Sequence, residues 1–112
     1  MSSTILMITN NGMGKADEQL QLALMEKYLE LLSQNSELPN AMCFYTEGVK
    51  LVCTDSPVLE QLRTLESKGV RLIVCSTCLN YYGLTDKVKI GIVGGMPDII
   101  EAQMKAEKVI TL

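Results

Sequence analysis

Apolar residues fall along this chain in short continuous runs, separated by longer segments in which they recur every three or four positions. Thr4-Ile5-Leu6-Met7-Ile8-Thr9 is the first run, and Asn10-Asn11-Gly12 closes it. Such a run, rich in β-branched residues and without alternation, predicts a strand buried on both faces, the kind found in parallel sheets. The next segment opens with acid at Asp17-Glu18, suited to the positive end of a helix dipole, and extends to about Ser33. Leu20, Leu24, Tyr28 and Leu31 form one apolar stripe on it, Met25, Leu29 and Leu32 a second, and Leu22 widens the face. One helix needs roughly 100° of apolar surface to pack on a sheet. The excess predicts a subunit interface.

The alternation continues to the end of the chain. Residues 35–40 read as a loop, Ala41 to Thr46 as a strand, and Glu47-Gly48 as a break. Val49-Lys50-Leu51-Val52-Cys53 fits a short strand or a helical turn equally well. Asp55-Ser56-Pro57 predicts a helix start, with Ser56 as N-cap and Pro57 at the first helical position. Val58, Leu59, Leu62 and Leu65 supply its buried face, and Lys68-Gly69 its stop. Val70 to Cys75 predicts a strand, Ser76 to Tyr82 a short helix closed by Gly83, and Lys89 to Val93 a further strand. Gly94-Gly95 then reads as a tight turn, Pro97 to Ala106 as a helix and Lys108 to Leu112 as an edge strand. Strands alternating with helices imply parallel pairing by right-handed crossovers, hence an α/β/α sandwich.

Size and charge narrow the possibilities. A chain of 112 residues, 47% of them hydrophobic, has room for one domain, taken as 1–112. A net charge of -3 gives no basic field, so neither nucleic acid nor an anionic membrane surface is an expected partner. The apolar runs are too short to span a bilayer. Met1-Ser2-Ser3-Thr4 lacks a basic start, so no secretion signal is expected. A cytoplasmic location with the four cysteines reduced follows from that reading. The chain has no histidine, which excludes Ser-His-Asp and Cys-His catalysis and the common zinc hydrolase sites.

The strongest chemical signal is Cys75-Ser76-Thr77-Cys78, at the junction between a buried strand and a short helix. A thiol there is expected to face unpaired backbone N–H groups, with Ser76 and Thr77 near the sulfur, and to act as a nucleophile or sulfur carrier. Cys78 is placed to resolve a disulfide or persulfide formed on Cys75. The alternative is that both are small buried hydrophobes. A zinc ribbon needs a second Cys-x-x-Cys, whereas Cys43 and Cys53 lie on segments that read as core, so no metal is expected. A thioredoxin-type site is disfavoured because its motif follows the first strand of its unit. Gly12-Met13-Gly14-Lys15 lacks the spacing of a phosphate loop and has Ala16 where Ser or Thr should hold magnesium, so no nucleotide cofactor is expected. Lys15 is still placed to lend charge near the thiol. Asn80, Tyr81 and Tyr82 are candidates to line a pocket, or else to pack.

These residues resemble a known family. Gly48-Val49-Lys50-Leu51, Lys68-Gly69-Val70, the block from Cys75 to Leu84 and the ending Ala106 to Leu112 are similar to the DsrE/DsrF-like domain. The similarity is greatest to the C-terminal half of YedF-type proteins, sulfurtransferase-like chains linked to selenium metabolism. It implies a DsrEFH-like α/β/α sandwich on a five-stranded, mainly parallel sheet, assembled as a homo-oligomer such as a dimer or trimer. It also implies that Cys75 accepts persulfide sulfur, or selenium, with Cys78 as the branch-specific resolving thiol. No cofactor is implied. YedF-type chains carry a TusA-like domain, so a TusA-like protein or a cysteine desulfurase is the donor expected in trans. Two other classes remain open: a non-catalytic oligomeric binding module with packed cysteines, and a dithiol redox protein.

Overall fold

The computed structural model describes residues 3–112, so Met1 and Ser2, on which the reading of no secretion signal partly rests, lie outside the described residues. The first apolar run forms β1 (Thr4–Ile8), and the helix that follows is α1 (Glu18–Ser33). Asp17 caps α1: its carboxylate accepts the Leu20 N–H at 2.9 Å and so satisfies one of the orphan donors of the first turn. β2 (Ala41–Phe44) is buried at all four positions, as a strand covered on both faces must be. The undecided segment after it is a 3-10 helix, Thr46–Val52, which shortens the strand expected to reach Thr46.

The next helix, α2 (Leu59–Ser67), starts later than expected. Ser56 does not cap it. Its hydroxyl instead accepts the Val58 N–H at 3.3 Å, forming a turn ahead of the helix, and Val58 takes the cap position. β3 (Arg71–Cys75) runs directly into α3 (Ser76–Tyr82), which Gly83 closes with φ 68. A second 3-10 turn, Thr85–Lys87, leads to β4 (Ile92–Gly94), α4 (Met96–Lys105) and β5 (Lys108–Thr111). β4 begins later than the expected Lys89 because Gly91, at φ 88, bends the chain first. Gly94 ends that strand, and Gly95 opens α4 by donating its N–H to the Asp98 carboxylate at 2.8 Å.

The five strands form one sheet in the order β4-β3-β2-β1-β5, all parallel. The registers align Met7 with Cys43 and Cys43 with Ile73, so these side chains share one face. α4 covers that face, where the Gln103 amide reaches the Met7 sulfur at 3.8 Å. Right-handed crossovers from β1 through β4 place α1, α2 and α3 on the opposite face. That face is lined by Leu6, Ile8, Met42, Phe44, Leu72 and Val74, each at most 1% exposed. The second stripe of α1 is the one that packs, since Met25 and Leu29 are buried. Of the first stripe, Leu20, Leu24 and Leu31 are 44–60% exposed, which is the excess apolar surface that the sequence pattern predicts.

Candidate functional site

The connections that leave β3 and β4 diverge, because α3 continues on one face of the sheet and α4 turns to the other. Open α/β sheets form their ligand crevice at such a point, outside the carboxyl ends of the two strands. Cys75 is the last residue of β3 and lies in register with Gly94, the last residue of β4. It is also the N-cap residue of α3. Its location is therefore the one that the strand-to-helix reading anticipates.

Its surroundings differ from that reading in two respects. Cys75 is only 1% exposed and belongs to the hydrophobic core, whereas Cys78, one turn along α3, is half-buried. The hydrogen bonding differs as well. No N–H of Ser76 or Thr77 is bonded to either sulfur among the described residues; the main-chain donor is Thr46, whose N–H lies 3.0 Å from the Cys78 Sγ. α3 has only seven residues, and its dipole is correspondingly weak.

Thr46 reaches this position in a conformation rarely open to it. Its φ is 49°, in the left-handed region that a β-branched residue enters only under constraint. The constraint is visible: the Thr46 hydroxyl bonds to the carbonyls of Thr9 and Tyr45, and the Tyr45 N–H bonds to the Ile8 carbonyl at 3.1 Å. The end of β1 thus fixes the residue that faces Cys78. Burial pushes the Cys78 thiol above its ordinary range. The Thr46 N–H opposes this shift, and the adjoining Cys75 thiol adds to it.

The other expected site residues lie at various distances from this centre. Ser76 is half-buried and Thr77 exposed, both in the first turn of α3. The Asn80 carboxamide accepts the Thr85 hydroxyl at 2.8 Å, a bond that ties α3 to the turn after it. Tyr81 is 83% exposed and meets Tyr82 edge to face at 5.2 Å. Lys15 sits on an exposed loop, and the charges that act on Cys78 do not include it. That loop is held from within by Gln21, a buried side chain that donates to the Asn11 carbonyl and accepts the Ala16 N–H. The cation nearer the cysteine helix is Lys50, whose ammonium lies 4.8 Å from the centre of the Tyr82 ring while it pairs with Glu47 at 3.0 Å.

Two clefts flank the centre, and neither is lined by Cys75 or Cys78. One, of about 430 Å³, runs between Asn11, Lys50, Asp55, Tyr82 and Leu84. The other, of about 310 Å³, lies between α4 and the β3–β4 edge, with Arg71, Ile73, Ile92 and Asp98 in its wall. Cys43 and Cys53 are core residues, and burial raises both thiols. Among the described residues, no group of three or more Cys, Asp or Glu is placed to hold a metal ion, and no helix is long and apolar enough to cross a membrane. Thr46 and Lys50 are the site residues that the sequence does not announce. The left-handed backbone of Thr46 depends on contacts with Thr9 and Cys78, both remote in the chain.

Residues 3–112 match the model of the DsrE/DsrF-like family. The chain belongs to that family. The same fold recurs in solved structures of low identity. The ychN protein from E. coli superposes with a TM-score of 0.75 at 19% identity, with 100% of each chain covered. MTH1491 from Methanobacterium thermoautotrophicum, described as a protein of unknown function, gives 0.72 at 22% identity, again over 100% of both chains. BT1422 from Bacteroides thetaiotaomicron gives 0.69 at 15% identity, covering 98% of this chain and 95% of that one. At these identities the likeness concerns the fold. No match was found among curated proteins.

Proposed function

We propose that this DsrE/DsrF-like chain is a sulfur-relay protein, a carrier that takes sulfane sulfur from a donor persulfide onto its Cys75–Cys78 pair and hands it on. The observation that carries this reading is the pairing itself: two thiols one helical turn apart at the crevice end of β3, one of them half-buried and held against a main-chain N–H. Thiol–persulfide exchange needs a thiolate and a donor but no proton-relaying side chain. It is therefore open to a chain without histidine. Ser76, Thr77, Asn80 and Tyr81 form the rim on which a donor or acceptor chain sits in this reading, and a role for Lys15 would require the exposed loop to fold towards that rim. The Cys75-to-Leu84 block favours the YedF-type branch, with selenium as a second possible cargo. The donor is a TusA-like protein or a cysteine desulfurase acting in trans in the cytoplasm.

A homo-oligomer completes the proposal. Leu20, Leu24 and Leu31 on α1, and Met96, Ile100 and Met104 on α4, leave two apolar stripes facing outward. Contiguous apolar surface of this kind is uncommon on a monomer.

The test is mass spectrometry of the protein after incubation with a cysteine desulfurase and cysteine. The expected result is one added sulfur on the Cys75–Cys78 peptide, removed by a thiol reductant. Unmodified cysteines, under conditions that load an established carrier, would reject the relay and leave the binding module with packed thiols and the dithiol redox protein.

A further inference from the structure

We propose that Cys78 is the thiol at which sulfur is received, that Thr46 is its positioning residue, and that Cys75 attacks afterwards from the core side. This inference rests on the sulfur-relay reading and assigns the order of events within it. It reverses the roles that the family resemblance implies.

Access argues for that order first. A donor persulfide approaching from solvent meets Cys78, which is half-buried, and cannot touch Cys75, which is 1% exposed. The second argument is the Thr46 N–H at 3.0 Å from the Cys78 sulfur, since a donor aimed at a sulfur favours its anion. The third is how that donor is held. Thr46 keeps a left-handed backbone at φ 49° because its hydroxyl is tied to Thr9 and Tyr45, its predecessor is tied to Ile8, and Gly48 lets the 3-10 helix close onto the Ile8 carbonyl. Strained residues persist where the surroundings over-determine them, and they concentrate at functional sites. Burial outweighs the Thr46 bond at rest and keeps Cys78 protonated above the ordinary thiol range. The bond favours the thiolate against that burial.

The chemistry follows from ordinary thiol exchange. The Cys78 thiolate attacks the outer sulfur of a donor R–S–SH. The donor S–S bond breaks, R–S⁻ leaves, and Cys78–S–SH forms without net oxidation. The Cys75 thiolate then attacks the Cys78 Sγ, the bond to the outer sulfur breaks, and that sulfur leaves as HS⁻ while a Cys75–Cys78 disulfide forms. The cysteine pair loses two electrons, the sulfane sulfur gains them, and an external dithiol reduces the disulfide. An acceptor thiolate that reaches Cys78–S–SH first takes the outer sulfur instead and leaves the pair reduced.

Two measurements on the intact chain decide the matter. In the first, cysteine persulfide is added to the wild type, Cys75→Ser and Cys78→Ser, and the sulfur is located by peptide mass mapping. Sulfur is expected on Cys78 in Cys75→Ser and on neither residue in Cys78→Ser; sulfur on Cys75 in Cys78→Ser at the wild-type rate overturns the inference. In the second, iodoacetamide labelling is followed against pH. Cys78 is expected to react before Cys75. Thr46→Val is expected to slow Cys78 about tenfold at neutral pH and to move its profile upward, and Thr46→Ser, which keeps the hydroxyl, is expected to restore it. An unchanged profile in a Thr46→Val protein that melts like the wild type overturns the role of Thr46. If neither cysteine takes sulfur while Cys78 still labels first and depends on Thr46, the relay reading fails and the thiol arrangement stands.

Discussion

Gly48 packs so closely against the carbonyl of Ile8 that a Cβ on it would overlap the oxygen. This contact seats the 3-10 helix Thr46–Val52 against the end of β1 and brings Thr46 to Cys78. Backbone blocks the added carbon, so no flexible side chain can swing away to admit it. Gly48→Ala is therefore expected to destabilise the protein by about 1–3 kcal/mol, the usual cost of overpacking. It should also slow labelling of Cys78, because the helix must lift. A lower midpoint in urea denaturation together with slower labelling is the expected pair of results; unchanged stability would show that this packing does not hold the helix.

The pH dependence of Cys78 follows from its neighbours. Burial and the Cys75 thiol both raise it, while the Thr46 N–H lowers it. Labelling of Cys78 should thus increase with pH along a curve displaced above that of a free thiol. Cys75→Ala removes a neighbour that disfavours the Cys78 anion, so the curve should move down in pH and the rate at neutral pH should rise. The check is the labelling rate from neutral to alkaline pH, measured on both proteins. A shift in the opposite direction would mean that Cys75 stabilises the Cys78 thiolate.

The buried thiols also make a prediction about alkaline stability. Burial raises Cys43 and Cys53 above 9.0, the ordinary thiol value here, and raises Tyr28 above 10.0. For each group the folded state binds its proton more tightly than the unfolded state. The corresponding stability is fully present below the unfolded value and is lost as pH rises through the folded one. The melting temperature should accordingly fall as pH climbs past about 9. Cys43→Ala with Cys53→Ala should flatten that fall although the double variant is less stable at neutral pH. A calorimetric series across this range measures both effects.

Much of this was legible in the residues. The runs at Thr4–Ile8 and Ala41–Phe44 are strands buried on both faces, and Asp17 caps its helix, because local sequence carries burial, period and capping. The excess apolar surface of α1 was legible too: its second stripe, with Met25 and Leu29, fills the contact with the sheet, so Leu20, Leu24 and Leu31 of the first stay exposed. Ser56 was misread because an N-cap residue and a turn residue use the same hydroxyl acceptor, and a shift of two positions in the backbone separates them. The exposure of the two cysteines was not legible at all. Cys75 ends a strand whose neighbours bury it, while the partner of Cys78 comes from a residue 32 positions away. Local patterns contain no record of such a contact.

The outward stripe of α4 bears on assembly. Met96, Ile100 and Met104 follow one another at helical spacing and are 48%, 51% and 81% exposed, and the edge strand β4 adds Ile92 at 64% and Val93 at 45%. Among the described residues β4 pairs only with β3, which leaves its outer edge without a partner strand there. Such an edge invites pairing with another chain unless it is covered or charged. Lys89 precedes the strand, but β4 itself carries no charge. Ile100 lies on the solvent side of α4, opposite the buried Ile99 and Ala102, so a charge there leaves the subunit core untouched. Ile100→Asp is expected to convert an oligomer into monomers with a change in subunit stability within about 0.5 kcal/mol, as for an exposed site. Sedimentation velocity compares the two proteins directly. A wild type that sediments as a monomer, or a variant that keeps the wild-type assembly, would remove this face from the interface.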